Sequence, residues 1–195
     1  MSHTFDSLTA MSPAQLEVVL AAGTAPSFSS IVGHEFRGWN VFGDVVAKGV
    51  GAVMGIQRFA KGWFRRDGAD VAVEINGAPF IEGYNVKIAR GEKTDPWTAI
   101  PDDDHPTRHG FFKVFRAGEG EGRLGRHPQA LLLDYSLGIP KAGLLGGGGL
   151  KDFVVQVDAN NPDLLLGKAY MTVGPLTNPA GFFVIERLRK VDYRP

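Results

Sequence analysis

Five amphipathic aromatic residues have types and positions that could line a ligand cavity. They are Trp39, Trp63, Tyr84, Tyr135 and Tyr170, and each falls in a stretch typical of a β-strand. Each side chain combines a large apolar ring with one polar tip, which suits an apolar ligand that has a polar end. The same residues also suit an ordinary core in which the tip is hydrogen-bonded. The residue types alone leave both interpretations open.

Three basic residues, Arg37, Arg58 and Lys61, flank the tryptophan-containing strands. An arginine that points inward could bind a ligand carboxylate through two parallel hydrogen bonds. The alternative is a solvated outer face, because a lone charge is almost never buried without a partner. We expect Arg37 or Arg58 to hold the acid group of a ligand.

Acid–base chemistry has one candidate in Asp134 and Tyr135 together with a histidine. Proton transfer requires these groups to lie within hydrogen-bond reach of one another. The Gly-x-Ser-x-Gly motif of serine hydrolases is missing, and the glycine-rich stretches lack the dinucleotide-binding and P-loop patterns. An enzyme therefore remains an alternative, whereas nucleotide binding is not expected.

Residues 102–105 and His109 place three carboxylates and two imidazoles close together in the chain. Pro106 disfavours a helix at this point, so the two histidines need not share a face. The spacing matches neither a zinc-protease motif nor a calcium loop. We expect a solvated acidic loop, and neither a metal ion nor another cofactor.

The composition restricts the class of protein. The chain has 195 residues, 21 basic and 21 acidic side chains, and no cysteine. This length is typical of one domain, and zero net charge disfavours nucleic-acid binding, which needs clustered Lys and Arg. The lack of cysteine excludes disulfides and thiolate metal sites. Because neither a secretory signal pattern nor an apolar run of ~20 residues is present, we expect a cytoplasmic protein without stable membrane insertion.

The elements that must position these side chains are mainly strands. A pattern of period two or a run of apolar residues predicts about nine of them, at 31–39, 57–66, 71–75, 84–88, 109–117, 130–136, 153–157, 164–173 and 181–190. Asn76-Gly77 predicts a hairpin turn. Many strands with short connections favour an antiparallel barrel, because closure removes the unpaired edges.

Two helices are also predicted. Ser12 as N-cap and Pro13 at the first helical position predict a helix near 12–23 that packs on the outside of the domain. Residues 44–55 carry apolar side chains at helical spacing, although two internal glycines weaken that helix. Residues 24–30 are predicted to form a polar connector. The long loops 91–107 and 138–149 are expected to be functional or disordered.

The order of predicted elements resembles that of the calycin group, which includes lipocalins and fatty-acid-binding proteins. The elements are an early strand that carries Gly38-Trp39, a helical insertion and a run of antiparallel strands. The resemblance implies that this strand closes the base of the barrel. It also implies that Arg187, Arg189 or Arg194 from the last strand covers the Trp39 indole. The helix between the first two strands is similar to the lid of fatty-acid-binding proteins.

A further resemblance is to bacterial GXWXG-domain proteins, a family without a settled activity. It covers most of residues 31–190. The stretches that carry it are 55–64, 132–135, 151–154, 166–168 and 182–187. Where the family has Gly-x-Trp-x-Gly, this chain has Arg37-Gly38-Trp39-Asn40.

These observations predict an all-β fold, an antiparallel up-and-down calycin-like β-barrel of about 8–10 strands. An N-terminal helix and connector would occupy residues 1–30, the barrel residues 31–195, and a helical lid the connection between strands 1 and 2. Three glycines on predicted strands, Gly38, Gly62 and Gly167, have no side chain with which to fill the barrel interior. We expect the space left there to favour a guest molecule.

The expected function is binding of a small hydrophobic molecule, a fatty acid or a similar apolar acid, in the barrel cavity. The expected ligand-binding residues are Arg37, Arg58, Trp63, Tyr84, Phe112 and Tyr135. An isomerase or cyclase acting on an apolar substrate in the same cavity is the first alternative, and a solid barrel serving as an interaction module is the second. The oligomeric state stays open.

Overall fold

The computed structural model describes residues 2–42, 57–65, 73–75, 78–118, 126–137, 149–173 and 176–195. The predicted lid helix at 44–55 and the Asn76-Gly77 turn lie outside these ranges. Within them, no helix is long and apolar enough to cross a membrane.

Three short helices precede the first strand. Helix α2 (Pro13–Ala22) confirms the predicted helix, with Ser12 and Gln15 forming a reciprocal capping box. Helix α1 (Phe5–Thr9) was not predicted, and helix α3 (Phe28–Ile31) replaces part of the expected polar connector. Both are too short to show a helical period. Their N-caps, Thr4 and Ser27, are the signals that could have revealed them.

The described ranges contain nine strands after these helices, and eight of them close an antiparallel barrel. They are β1 (His34–Val41), β2 (Arg58–Phe64), β3 (Val73–Ile75), β4 (Ala78–Val86), β5 (Arg108–Arg116), β6 (Leu131–Asp134), β7 (Leu150–Asp158), β8 (Asn161–Val173) and β9 (Leu176–Lys190). The order around the sheet is β2-β1-β9-β8-β7-β6-β5-β4, and pairing of β2 with β4 closes it. Strand β3 pairs with β4 beside the ring. The all-β, antiparallel barrel expected from the sequence is confirmed.

The strand directions define two ends of the barrel. The lower end holds the start of β1, the end of β2 and helix α3. The upper end holds the end of β1, the start of β2 and the ends of β4, β6 and β8. Residues that follow one another by two along a strand, and residues paired across strands, share a face. The register therefore decides which side chains point into the barrel.

Both faces of the barrel wall are buried. The inner face is mostly apolar and includes Phe36, Trp63, Phe112, Leu133 and Phe183. The outer face packs against α1 and α2 through side chains such as Phe5, Leu8, Leu16 and Leu20. Since strands here are apolar on both faces, simple alternation does not reveal which set points inward.

Four glycines on the strands are covered by aromatic rings rather than left open. Each pairs in register with an aromatic residue of the next strand, as Gly38–Phe59, Gly62–Tyr84, Gly83–Phe112 and Gly167–Phe183. A β-carbon at Gly167 would lie 2.0 Å from the Phe183 ring. These glycines therefore accommodate rings, and the expectation that they leave unfilled space is wrong.

The lower end is closed by residues other than those implied by the resemblance. Trp39 lies on the outer face, paired with Arg58 and Val184. On the inner face, the Phe36 and Trp63 rings meet edge to face with centroids 4.9 Å apart. The Arg187 guanidinium lies over Phe36, 5.1 Å from the ring centroid. The last strand thus supplies a cation–π contact, but to Phe36 instead of Trp39.

Candidate functional site

The inner face of the upper half of the barrel carries a buried cluster of four polar side chains. We call this set, Lys61, Asn85, Tyr135 and Asp152, the polar cluster. It draws on β2, β4, β7 and the 3₁₀ turn Tyr135–Leu137 that follows β6. Lys61 points inward because it follows Phe59 and precedes Trp63 at intervals of two along β2.

Lys61 uses all three of its ammonium protons within the cluster. Its Nζ donates to Asn85 Oδ1 at 2.9 Å, to the Tyr135 hydroxyl at 2.5 Å and to Asp152 Oδ2 at 3.1 Å. The Tyr135 hydroxyl in turn donates to Asp152 Oδ2 at 3.1 Å. A lysine, a phenol and a carboxylate therefore form a closed triangle of hydrogen bonds.

Four aromatic rings surround the Lys61 ammonium. The distances from Nζ to the ring centroids are 5.3 Å for Phe59, 5.1 Å for Phe112, 5.2 Å for Tyr135 and 5.1 Å for Phe183. A cation over a ring face is attracted by the negative centre of the ring. The three phenylalanines are those that cover inner glycines, so the glycine–aromatic pairs also build this enclosure.

A β-bulge brings a histidine to the rim of the site. Along β4 and β5, Gly83 pairs with Phe112 and Asn85 pairs with His109, so two residues of β5 oppose Tyr84. The extra residue places both His109 and Phe112 on the inner face, although they are three apart. Gly110 permits the bulge with φ of +55°. Its carbonyl accepts from Asn85 Nδ2 at 3.2 Å.

Burial and charge shift the proton affinities of the site. The side chains of Lys61 and Asp152 are 4% and 3% exposed. Burial lowers the pKa of Lys61, and the attraction of Asp152 opposes that change. Burial raises the pKa of Tyr135 well above its ordinary value, and Asp152 raises it further. The pKa of His109 is lowered by burial first and then by the charges of Lys61 and Lys87.

Two buried polar atoms on the inner face have no hydrogen-bond partner among the described residues. They are Oδ1 of Asp152 and Nε1 of Trp63. One is an acceptor that carries part of a negative charge and the other is a donor. A buried polar group without a partner costs about 1–3 kcal/mol. Both atoms are therefore positions where an additional molecule would gain hydrogen bonds.

The structure divides the six residues expected to bind a ligand into two sets. Trp63, Phe112 and Tyr135 share the inner cluster, and the Phe112 and Tyr135 rings lie 4.9 Å apart. Arg37, Arg58 and Tyr84 lie on the outer face, so the six do not come together.

The two arginines are engaged in contacts that hold residues 87–107 and α1 against the barrel. Arg37 Nε donates to Glu186 Oε2 on β9 at 2.9 Å, and its guanidinium lies over the ring of Phe5 in α1, 4.6 Å from the centroid. Arg58 donates to the backbone carbonyls of Ala89, Asp95 and Pro96 at 2.8–3.2 Å. Both guanidinium groups lie over the Trp97 ring, 5.1 Å and 4.1 Å from its centroid.

Tyr84 belongs to a second polar group, also on the outer face. Its hydroxyl donates to Glu35 Oε1 at 3.1 Å, and Arg189 Nε donates to Glu35 Oε2 at 2.8 Å. Burial, followed by the Glu35 charge, raises the pKa of Tyr84. Glu35 is fully buried and pairs with two arginines, Arg108 and Arg189.

The other residues singled out from the sequence lie elsewhere. Tyr170 is on the outer face, where its hydroxyl is 2.8 Å from His127 Nε2. Asp134 also faces outward and pairs with Lys151, so the carboxylate that meets Tyr135 is Asp152. His105 contacts Asp102 within the acidic loop. Among the residues described, no three His, Asp or Glu side chains are arranged to hold a metal ion.

Sequence reasoning missed Asp152 and Asn85 as site residues, and it named Lys61 without giving it a role in the site. Asp152 and Asn85 alternate with large apolar residues, which is typical of strand positions that face water. Here the apolar neighbours face the helices and loops instead. One signal was available, since Lys61 lies between Phe59 and Trp63 on one strand face. A lone charge between two large aromatics on the same face indicates a buried, partnered charge.

Comparisons of this chain with protein-family models, with curated proteins and with solved structures find no match.

Proposed function

We propose that the protein binds a small, mainly apolar molecule on the inner face of the upper half of the barrel, beside the polar cluster. The observation that carries the proposal is Oδ1 of Asp152, which is buried without a donor among the described residues. The other oxygen of the same carboxylate accepts two hydrogen bonds. A ligand hydroxyl or amine at Oδ1 supplies the missing donor.

The aromatic enclosure favours an apolar ligand body. Removal of apolar surface from water contributes about 25 cal/mol per Å². Because the rings of Phe59, Phe112 and Phe183 already lie over the inner glycines, the ligand must be small. The Trp63 Nε1 donor offers a second polar contact for a ligand oxygen.

The charges of the site favour a neutral polar end over an acid. Lys61 and Asp152 form an ion pair, and Nζ has no proton left for a ligand carboxylate. An added carboxylate would place a second negative charge beside Asp152, which costs free energy in a dry interior. A fatty acid held by Arg37 or Arg58 stays a prediction from the sequence and is one arm of the test below.

An enzyme is the second candidate function, and the Lys61–Tyr135–Asp152 triangle favours it. A buried amine, phenol and carboxylate in mutual contact can move protons to and from a bound substrate. Lowered proton affinity at Lys61 and raised affinity at Tyr135 are the kind of perturbation found at catalytic sites. The isomerase or cyclase expected as an alternative would use these residues.

Membership in the calycin group, with lipocalins, fatty-acid-binding proteins or bacterial GXWXG-domain proteins, is part of this proposal. The closed antiparallel barrel of eight strands supports the group. A cytoplasmic location, which was expected from the sequence, is also part of this proposal.

The test uses three ligands of one shape: benzyl alcohol, benzoate and toluene, with hexadecanoate as the fatty-acid arm. We expect benzyl alcohol to raise the melting temperature most, because only its hydroxyl donates to Asp152. A ligand at 100 times its Kd stabilises the fold by about 2.7 kcal/mol, which shifts the Tm by several degrees. Nuclear Overhauser effects between the benzyl ring and Phe59 or Phe183 locate the ligand in the wild-type protein.

A matched pair of variants separates the site from general stability. Asp152→Asn removes the charged acceptor and should abolish the shift, whereas Asp134→Asn alters a buried, lysine-paired carboxylate on the outer face and should retain it. If hexadecanoate alone raises the Tm, and Arg37→Ala or Arg58→Ala weakens that effect, the ligand is the acid expected from the sequence. If no arm shifts the Tm, the binding function is wrong.

A further inference from the structure

We infer that Lys61 forms a covalent imine with a small apolar aldehyde, with Asp152 as its proton acceptor and Tyr135 as the acid that releases water. This inference rests on the proposed function, since the aldehyde occupies the same inner face. It goes further by naming the ligand class and the reacting atom. The geometry that carries it is the closed triangle of Lys61, Tyr135 and Asp152 inside four aromatic rings.

Imine formation requires a neutral amine beside a base. Asp152 Oδ2 lies 3.1 Å from Nζ and can take one proton from the ammonium, which leaves a neutral pair in a dry site. Separated charges are disfavoured there, and burial also lowers the pKa of Lys61. Desolvated lysines of this kind act as nucleophiles toward carbonyl substrates.

The reaction balances with residues present in the site. The Nζ lone pair attacks the carbonyl carbon, the C=O electrons move to oxygen, and a proton moves from nitrogen to that oxygen to give a carbinolamine. Tyr135 then donates its proton to the hydroxyl while it accepts the proton held by Asp152, 3.1 Å away, so that no phenolate forms. The hydroxyl leaves as water, the nitrogen lone pair forms the C=N bond, and Asp152 is again a carboxylate. The net change is ammonium plus aldehyde to protonated imine plus water, so the charge is conserved.

The surroundings favour this product and this class of substrate. The protonated imine keeps the positive charge beside Asp152 and within the rings that hold the ammonium. A substrate with a carboxylate is disfavoured, because its negative charge would lie beside that of Asp152. An aldehyde is uncharged, and with one substituent on its carbonyl carbon it demands less room than a ketone beside the three phenylalanine rings.

The test treats the full chain with benzaldehyde and sodium cyanoborohydride, which reduces the imine to a stable benzylamine. Intact mass and peptide mapping then give the number and position of adducts. We expect one adduct on Lys61, formed at least ten times faster than on Lys151, which pairs with Asp134 on the outer face and serves as the internal control. Tyr135→Phe should slow the labelling of Lys61 at least tenfold and leave that of Lys151 unchanged.

The outcomes separate this inference from the proposed function. If benzyl alcohol raises the Tm but Lys61 is labelled no faster than Lys151, the imine is wrong and the binding function stands. If neither benzyl alcohol binds nor Lys61 reacts, both are wrong. Mapping in the wild-type chain makes the result independent of whether a Lys61 variant folds.

Discussion

The ion pair of Lys61 and Asp152 is the residue-level feature on which the interior depends. Both partners are buried, so each is stable only while the other neutralises it. Removing one partner leaves an uncompensated charge, whereas removing both leaves an apolar interior of similar shape. The pair therefore fixes the arrangement of the site more than it adds to the stability of the barrel.

We predict that Lys61→Met lowers the free energy of unfolding by about 3–5 kcal/mol, because Asp152 is left charged and buried. Urea denaturation measures this change. The double variant Lys61→Met/Asp152→Leu should recover most of the loss, and Lys151→Met, whose lysine is 20% exposed beside Asp134, should cost less than Lys61→Met. Equal stability of the single and double variants would contradict the argument.

The sequence identified the residue types of the site better than their faces. Trp63, Phe112 and Tyr135 were expected to bind a ligand and do share the inner cluster. Arg37 and Arg58 were expected to point inward, yet the register places them outside. A shift of one residue exchanges the two faces of a strand, and a bulge such as that at Gly110 does so locally. Gly110 within the predicted strand 109–117 is a signal for such a bulge, but it does not say which side chains change face.

At the scale of elements, the paired glycines and rings determine how closely the strands pack. We predict that Gly167→Ala lowers the free energy of unfolding by about 1–3 kcal/mol, since the new methyl group would overlap the Phe183 ring. Thermal unfolding checks this value. The same substitution in a Phe183→Leu background should cost less. A similar cost in both backgrounds would show that the ring is not the obstacle.

The bulge on β5 predicts that two glycines with positive φ differ in how much stability is lost when each is replaced by alanine. Gly110→Ala should destabilise the protein more than Gly33→Ala, although both have positive φ, +55° and +76°. At Gly110 the β-carbon also meets Asn85 Nδ2 at 2.8 Å, whereas at Gly33 the nearest atom is 3.7 Å away. A left-handed residue costs about 1–2 kcal/mol in each case, and urea denaturation of both variants measures the excess at Gly110.

The same bulge gives a spectroscopic check. In Gly110→Ala the side-chain amide resonance of Asn85 should move, because that amide donates to the Gly110 carbonyl. An unchanged Asn85 resonance together with equal costs for the two alanine variants would mean that the bulge does not support the polar cluster.

Element types were more predictable than element contacts. The period-two patterns and apolar runs located most of the strands, although β4 runs from Ala78 to Val86 where the pattern predicted 84–88. Ser12-Pro13 located α2 to within a residue at each end. What α2 packs against was not predictable in detail, because it depends on the outer apolar face of β7 to β9. On β7 that face consists of Phe153 and Val155, but Val154 between them belongs to the inner face, so the sequence does not show which apolar side the helix covers.

For the whole molecule, the histidines predict a loss of stability on the acid side of neutrality. Burial lowers the pKa of His34, His109 and His127 below the ordinary value of 6.5. At pH values between the lowered pKa of the folded state and the ordinary pKa of the unfolded state, the unfolded chain binds more protons than the folded one. Stability from these residues is therefore complete above about pH 6.5 and is lost as the pH falls through their folded-state values.

Urea denaturation between pH 7.5 and 5 checks this prediction. We expect the free energy of unfolding to fall with pH over this range, and His109→Asn to reduce the slope. A second decrease should follow below about pH 4, because Asp103 and Asp134 have lowered pKa values through their contacts with Arg189 and Lys151. A flat profile from pH 7.5 to 5 would contradict the histidine assignment.

The pairing of β1 with both β2 and β9 has a consequence for how a cell makes this protein. About 135 residues separate the end of β1 from the start of β9, which takes about 7–27 s at ~5–20 residues per second on the ribosome. Helices α1 and α2 emerge earlier still, before the strands that cover Leu16 and Leu20. During this interval the nascent chain exposes apolar side chains of both future faces. Its yield in cells thus depends on chaperones that hold unfinished chains as well as on the stability of the closed barrel.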